Sequence, residues 1–249
     1  MKLNKVLIPL LGPLGFLVFW WAATIFFSSS KPMAGYFAPA EAFKAAKEMI
    51  ASGALNVHTI DSLRRVGVGL GLAVLFGLPI GLILGGSKLF ERSAGLFFQL
   101  LRMVSPLSWM PLAVIFLGIG DAPAYFLLAF SGVWPIIINV AAGVAALDKR
   151  WITLAKSMSA TKFEILVKIV LPGVVDHLLT GVRLSVGVVW IVLVPAEMLG
   201  VQSGLGYFIL DARDRMAYGE LVVTIVYIGF LGAALDYWAR WLRRKWRRQ

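Results

Sequence analysis

The sequence predicts an all-α membrane protein, a polytopic bundle of about six transmembrane helices. Three observations lead there. Of its 249 residues, 59% are hydrophobic and only 15% charged, against roughly 45–50% and about 25% in soluble domains. The mean hydropathy is +0.83. Apolar runs of the roughly 20 residues needed to cross a bilayer recur along the chain. The same figures exclude disorder, a collagen-like fibre and a disulfide scaffold. There is no cysteine, which removes thiolate catalysis and cysteine metal sites. His58 and His177 lie far apart in the chain and argue against a histidine metal centre.

The first expected span is Leu7–Phe27, preceded by Lys2 and Lys5. It is too long for a cleaved signal, and no small-residue cleavage pattern follows it. An external segment, Ser28–Arg65, then carries Ala40–Ile50, which has the pattern of a short amphipathic surface helix. The second span is Val66–Gly86, where Gly67, Gly69 and Gly71 point to close helix packing. The third, Leu96–Leu117, is interrupted by Pro106 and Pro111. The fourth, Ala122–Ala146, contains Pro135. An internal segment, Asp148–His177, precedes the fifth span, Leu178–Leu199, which contains Pro195. The sixth is Leu221–Trp241. No repeat or linker divides the chain, so one domain over residues 1–249 is expected.

Six spans place both termini on one side. The net charge of +11 identifies that side. Arg240, Arg243, Arg244, Lys245, Arg247 and Arg248 crowd the tail, Lys149, Arg150, Lys156, Lys162 and Lys168 occupy the internal segment, and Lys2, Lys5, Lys88 and Arg92 lie on the same side. The external segments hold Lys31, Lys44, Lys47, Arg64, Arg65, Arg213 and Arg215. The bias is roughly two to one and places N- and C-termini in the cytoplasm. Trp238, Trp241 and Trp246 interleave with the tail arginines. That is the pattern of a helix leaving a membrane at headgroup level, not of a nucleic-acid-binding arm.

The internal segment carries the most specific pattern. In Trp151–Pro172, Leu154, Met158, Phe163, Ile165 and Leu166 recur at helical spacing between lysines. Ser159-Ala160-Thr161 interrupts them, which predicts two short helices joined by a turn. Pro172 is expected to stop the second helix before the fifth span. Such a segment reads either as an interfacial helix or as a docking helix for a soluble partner.

Ionisable residues inside spans cost roughly 2.5–3.5 kcal/mol each on insertion scales. Arg102 reads either as a pathway residue that attracts an anion or as a side chain that snorkels or pairs with an acid such as Glu197. Glu197 is poorly suited to hold an anion and better suited to an ion pair or a gate. Arg183 can snorkel at its span end, and Asp236 with Arg240 has i, i+4 pairing spacing. His58 reads as an external loop residue. The prolines inside spans remove backbone donors and kink helices. Trp109, Trp134 and Trp190 beside them either line a constriction or pack against neighbours, and Ser105 and Ser108 offer hydroxyls to a small oxyanion.

The segment around Leu171-Pro172 resembles the cytoplasmic loop of the inner-membrane permease subunits of ATP-binding-cassette (ABC) importers. That loop reads Glu-Ala-Ala, three residues, Gly, nine residues, Ile, one residue, Leu-Pro. Ala155 falls on the second Ala, Ser159 on the Gly, Ile169 on the Ile, and Leu171-Pro172 on the Leu-Pro; Thr153 and Leu154 replace the Glu and the first Ala. Arg102-Met-Val-Ser105-Pro106-Leu-Ser108-Trp109-Met-Pro111-Leu112 followed by Gly118-Ile119-Gly120 resembles a subfamily that imports nitrate, bicarbonate, taurine and alkanesulfonates. So does Pro195-Ala196-Glu197-Met198-Leu199 followed by Gly204-Leu205-Gly206-Tyr207. The resemblance spans about Thr59 to Tyr237.

This resemblance implies a type I ABC importer permease in a bacterial inner membrane. It implies a second, identical permease subunit, two cytoplasmic ATPase subunits and an external substrate-binding protein, with membrane lipid around the bundle. The chain has no phosphate loop ending in Gly-Lys-Ser/Thr, so no cofactor is expected on it; ATP and Mg belong to the partner ATPase. The coupling residues implied are Thr153, Leu154, Ala155, Lys156, Met158, Ser159, Lys162, Leu171 and Pro172. Leu154, Ala155 and Met158 would form the docking face, with Lys156 and Lys162 at its rim. The implied pathway residues are Arg102, Ser105, Ser108, Trp109, Trp134 and Glu197. Alternative readings are a stand-alone secondary carrier or channel, an intramembrane enzyme, and an ABC permease for a non-anionic cargo such as a thiamine precursor. No inverted repeat and no catalytic grouping supports the first two.

Overall fold

The computed structural model describes residues 3–29 and 32–246. Lys2, Lys31, Arg247 and Arg248 lie outside the described residues. Eleven helices follow one another: α1 (Leu3–Ser28), α2 (Pro39–Ser52), α3 (Ala54–Gly86), α4 (Lys88–Met103), α5 (Met110–Leu117), α6 (Asp121–Ala145), α7 (Lys149–Ser157), α8 (Lys162–Ile165), α9 (Leu171–Gly200), α10 (Leu205–Asp214) and α11 (Tyr218–Trp246). No strand occurs among the described residues.

Four stretches are long and apolar enough to cross a membrane: Ala54–Gly86, Asp121–Ala145, Lys162–Gly200 and Tyr218–Lys245. A bent pair, Lys88–Met103 with Pro106–Leu117, makes a fifth if it counts as one span. The first expected span falls in α1, of which Leu14–Ser28 is a shorter apolar helix. The expected surface helix at Ala40–Ile50 lies within α2. The second span begins earlier than expected, because α3 runs from Ala54 and takes Arg64 and Arg65 into the helix.

α3, α6 and α9 form the centre. On α3, Gly69, Gly77, Gly81 and Gly85 face Leu128, Ile136, Val140 and Ala141 of α6 so closely that an added Cβ would lie within 3 Å of a neighbouring atom. Residue numbers rise together on both helices, so α3 and α6 run parallel. Small residues every fourth position allow backbones to approach in this way. Of the three glycines expected to pack, only Gly69 does; Gly67 and Gly71 face open space. α9 crosses α6 in the opposite direction, with Gly132 against Val189 and Gly181 against Ile136.

The third expected span is not one kinked helix but two helices bent by 90°. Ser105 precedes Pro106 and is extended, with ψ 130. A residue before proline is pushed out of the helical region in this way. Pro111 sits in the first turn of α5, where its missing N–H is not needed.

Pro172 does not end a helix. Helical structure continues from Lys162 to Gly200. A π-turn at Leu166–Val170 precedes Pro172, and Leu171 donates its N–H to Leu166. Proline in a regular helix clashes with the carbonyl four residues earlier; the wider π-turn relieves that contact. The loop helix α8 and the bundle helix α9 are therefore one rod.

Candidate coupling surface and translocation pathway

The expected turn divides α7 from α8. Ser159 has φ 60, a left-handed conformation that strains any residue but glycine. That explains why a glycine occupies the matching position of the motif. Ala155 accepts the N–H groups of Met158 and Ala160 and closes the turn. Thr161 then caps α8. Its hydroxyl accepts from the Glu164 N–H at 3.2 Å, and the Glu164 carboxylate accepts from the Thr161 N–H at 2.9 Å. The local signal for this capping box is the run Thr161-Lys-Phe-Glu164.

Among the described residues, α7 has no extensive packing with another helix. Trp151, Leu154, Met158 and Phe163 are exposed, Met158 by 76% and Phe163 by 73%. Thr153 turns its hydroxyl back to the Lys149 carbonyl. Lys156 and Lys162 are exposed beside this apolar surface, Ala155 and Leu171 are half-buried, and Pro172 is exposed. The tail of α11 lies at the same end of the bundle, since Arg243 reaches to 3.9 Å from Asp176 near the start of α9.

Midway along α6 and α9, a cavity of about 410 Å³ is lined by Arg102, Pro106, Ser131, Trp134, Asn139 and Leu184 among others, with no acid among its lining residues. Arg102 has no ion pair among the described residues. Ser105 and Ser108 are exposed at the bend that leads to it. Trp109 packs on Phe130, and Phe130 on Trp134; the Trp109 indole N–H is buried without a hydrogen-bond partner. Trp190 packs against Gly232 of α11 instead.

Glu197 lies apart, near the opposite end. It is wholly buried, as is Ser62, and Arg65 is 1% exposed. Arg65 donates to Glu197 at 2.7 Å, to Asp121 at 2.8 Å, and to the Ser203 carbonyl and hydroxyl at 2.9 and 2.8 Å. Glu197 also accepts from Ser62 and from the Gly206 N–H. Ser62 in turn accepts from the Leu205 N–H at 2.9 Å. The free N–H groups at the start of α10 are thus satisfied by side chains of α3 and α9. His58 is not a loop residue; it stands on α3 and accepts the Gly204 N–H at 3.1 Å. Gly204 has φ 104, and a side chain there would strike both Glu197 and Arg65. Arg64 also binds Asp121. Both arginines that counted against the expected orientation are therefore neutralised by partners distant in sequence.

Three further charges cluster. Asp236 binds Arg240, as its spacing predicted, and lies 3.6 Å from Arg183.

Three closely packed central helices, an exposed amphipathic loop continuous with one of them and a cavity at mid-depth fit a membrane transport subunit. The chain belongs to the family of binding-protein-dependent transport system inner membrane components, whose sequence pattern matches residues 77–248. It is 32% identical to the bicarbonate transport system permease protein CmpB of Synechococcus elongatus, over 98% of this chain and 90% of that one. It is 33% identical to the nitrate import permease protein NrtB of the same species, over 78% and 70%. It is 33% identical to the putative aliphatic sulfonates transport permease protein SsuC of Bacillus subtilis, over 80% and 72%. The fold matches a chain of the inward-facing MetNI methionine ABC transporter with a TM-score of 0.61, at 16% identity, over 76% of this chain and 94% of that chain. The protein is a permease subunit of an ABC importer and an inner membrane component.

Proposed function

We propose that this chain forms the translocation pathway for a small oxyanion of the bicarbonate, nitrate or sulfonate class. The observation that carries this reading is Arg102 in a cavity without lining acids at half the depth of the bundle. A guanidinium there supplies charge and hydrogen bonds to a planar or tetrahedral anion. Ser105, Ser108, Trp109 and Trp134 border its approach. The cargoes in the names of the three relatives are all small oxyanions of this kind.

The whole chain acts as one permease domain beside an identical copy. Two cytoplasmic ATPases, which hold the ATP and Mg, grip the α7–α8 surface, and an external binding protein delivers cargo at the α10 end. Both termini and the α7–α8 loop face the cytoplasm. Closure of the ATPase pair draws the two loops together. The rod from Lys162 to Gly200 carries that motion past the cavity wall at Leu184 to Glu197. Rocking of the rods turns the site from one face to the other, with the population set by ATP binding.

Uptake by the reconstituted complex tests the cargo class. Labelled bicarbonate, nitrate and an alkanesulfonate are offered in turn, with a thiamine precursor as the non-anionic control. Uptake of one oxyanion that falls at least tenfold in Arg102→Gln supports the reading. Unchanged uptake in that variant, or transport of the control alone, contradicts it.

A further inference from the structure

Two cavities join where α3, α9 and α11 meet. One, of about 280 Å³, is an apolar groove between Leu70 of α3, Leu179 and Val186 of α9, and Leu235 and Leu242 of α11. The other, of about 210 Å³, is lined by arginine alone: Arg183, Arg240, Arg243 and Arg244. Arg183 and Arg243 line both, so the groove opens into the arginine pocket.

Among the described residues the charges do not cancel. Asp236 binds Arg240 and lies near Arg183, and Asp176 lies near Arg243. Four guanidinium groups thus face two carboxylates. The Nε groups of Arg183 and Arg243 are buried and face Asp236 and Asp176 at 3.6 and 3.9 Å, beyond hydrogen-bond distance, and Arg244 makes no ion pair among the described residues. Buried donors of this kind call for an acceptor. The same stretch of α11 exposes Trp238 and Trp241, and Lys245 lies 5.4 Å from the Trp241 ring. Tryptophan beside a basic cluster marks headgroup depth.

A free anion needs only the arginines. The groove adds a second requirement, an apolar chain. From Leu235 to Arg243 α11 rises about 12 Å, close to the ~15 Å of hydrocarbon in one leaflet. We infer that this junction binds one anionic phospholipid, with its phosphate among Arg183, Arg243 and Arg244 and an acyl chain in the groove. The bound lipid ties the end of α11 to α9 beside the base of the coupling loop. Basic pockets between helices suit such headgroups.

Native mass spectrometry of the full chain in detergent tests this. Phosphatidylglycerol and phosphatidylcholine with identical acyl chains are titrated separately, and sodium phosphate serves as competitor. The site predicts retention of phosphatidylglycerol at about tenfold lower concentration than phosphatidylcholine. Arg244→Gln, which breaks no ion pair, reduces that preference, and Leu179→Trp, which fills the groove, reduces retention of both lipids. Millimolar phosphate does not displace the lipid. Equal retention of the two lipids overturns the inference. So does displacement by phosphate, which defines a free-anion site, or a disulfide between two copies carrying Leu235→Cys, which makes the groove an interface.

Discussion

Arg65 and Glu197 meet at 2.7 Å with 1% and 0% of their surfaces exposed. They stand 132 positions apart in the chain, on α3 and α9, and the same two side chains reach α6 through Asp121 and the start of α10 through Gly206. Removing one partner strands a buried charge. Glu197→Ala is expected to cost about 3–5 kcal/mol. Replacing both, as Arg65→Met with Glu197→Met, is expected to cost less than Glu197→Ala alone, because no uncompensated charge is left behind. Thermal unfolding in detergent checks both; a double variant less stable than the single one contradicts the pairing.

Gly67 and Gly69 lie two residues apart on α3, yet only Gly69 meets α6. Gly69→Leu is expected to destabilise by roughly 1–3 kcal/mol through overpacking, and Gly67→Leu to have little effect. Equal losses of folded protein in a solubilisation assay contradict the packing.

The turn at Ser159 offers a gain in stability. A left-handed backbone costs a non-glycine residue about 1–2 kcal/mol, and glycine carries no such cost. Ser159→Gly is expected to slow hydrogen exchange at Met158 to Thr161, and Ser159→Val to speed it. The reverse order contradicts the assigned conformation.

Met158 is 76% exposed in the turn just past the end of α7, so a charge there leaves the bundle intact. Met158→Asp is expected to leave the amount of permease in the membrane unchanged and to remove cargo-stimulated ATPase activity from the assembled complex. Normal stimulation contradicts the docking role.

The helical class was legible because hydropathy reports burial in lipid residue by residue. The turn at Ser159 to Thr161 was legible because it breaks a local period. Pro172 departs from the expected stop because a proline stop is a local rule, and the π-turn before it overrides the rule. Arg64 and Arg65 were placed with an external segment because a charge count sees chain position alone. Their partners Asp121 and Glu197 are brought near only by the packing of α3 on α6 and α9. The 90° bend was half legible: Pro106 announced a break, but its angle depends on what α5 packs against. Of the expected pathway residues, Arg102 and Trp134 share a cavity. Glu197 does not join them, because burial in an apolar span demanded a cation and Arg65 was within reach.

The grip of a separate ATPase on the α7–α8 surface, as proposed above, is directly testable because the sequence has no cysteine. Met158→Cys, in the intact transporter within sealed inside-out and right-side-out vesicles, is treated with a membrane-impermeant thiol cross-linker. Cross-linking to the ATPase subunit only where the cytoplasmic face is accessible is the expected result. Labelling from the external face, or a thiol that reacts freely with no ATPase attached, contradicts the claim.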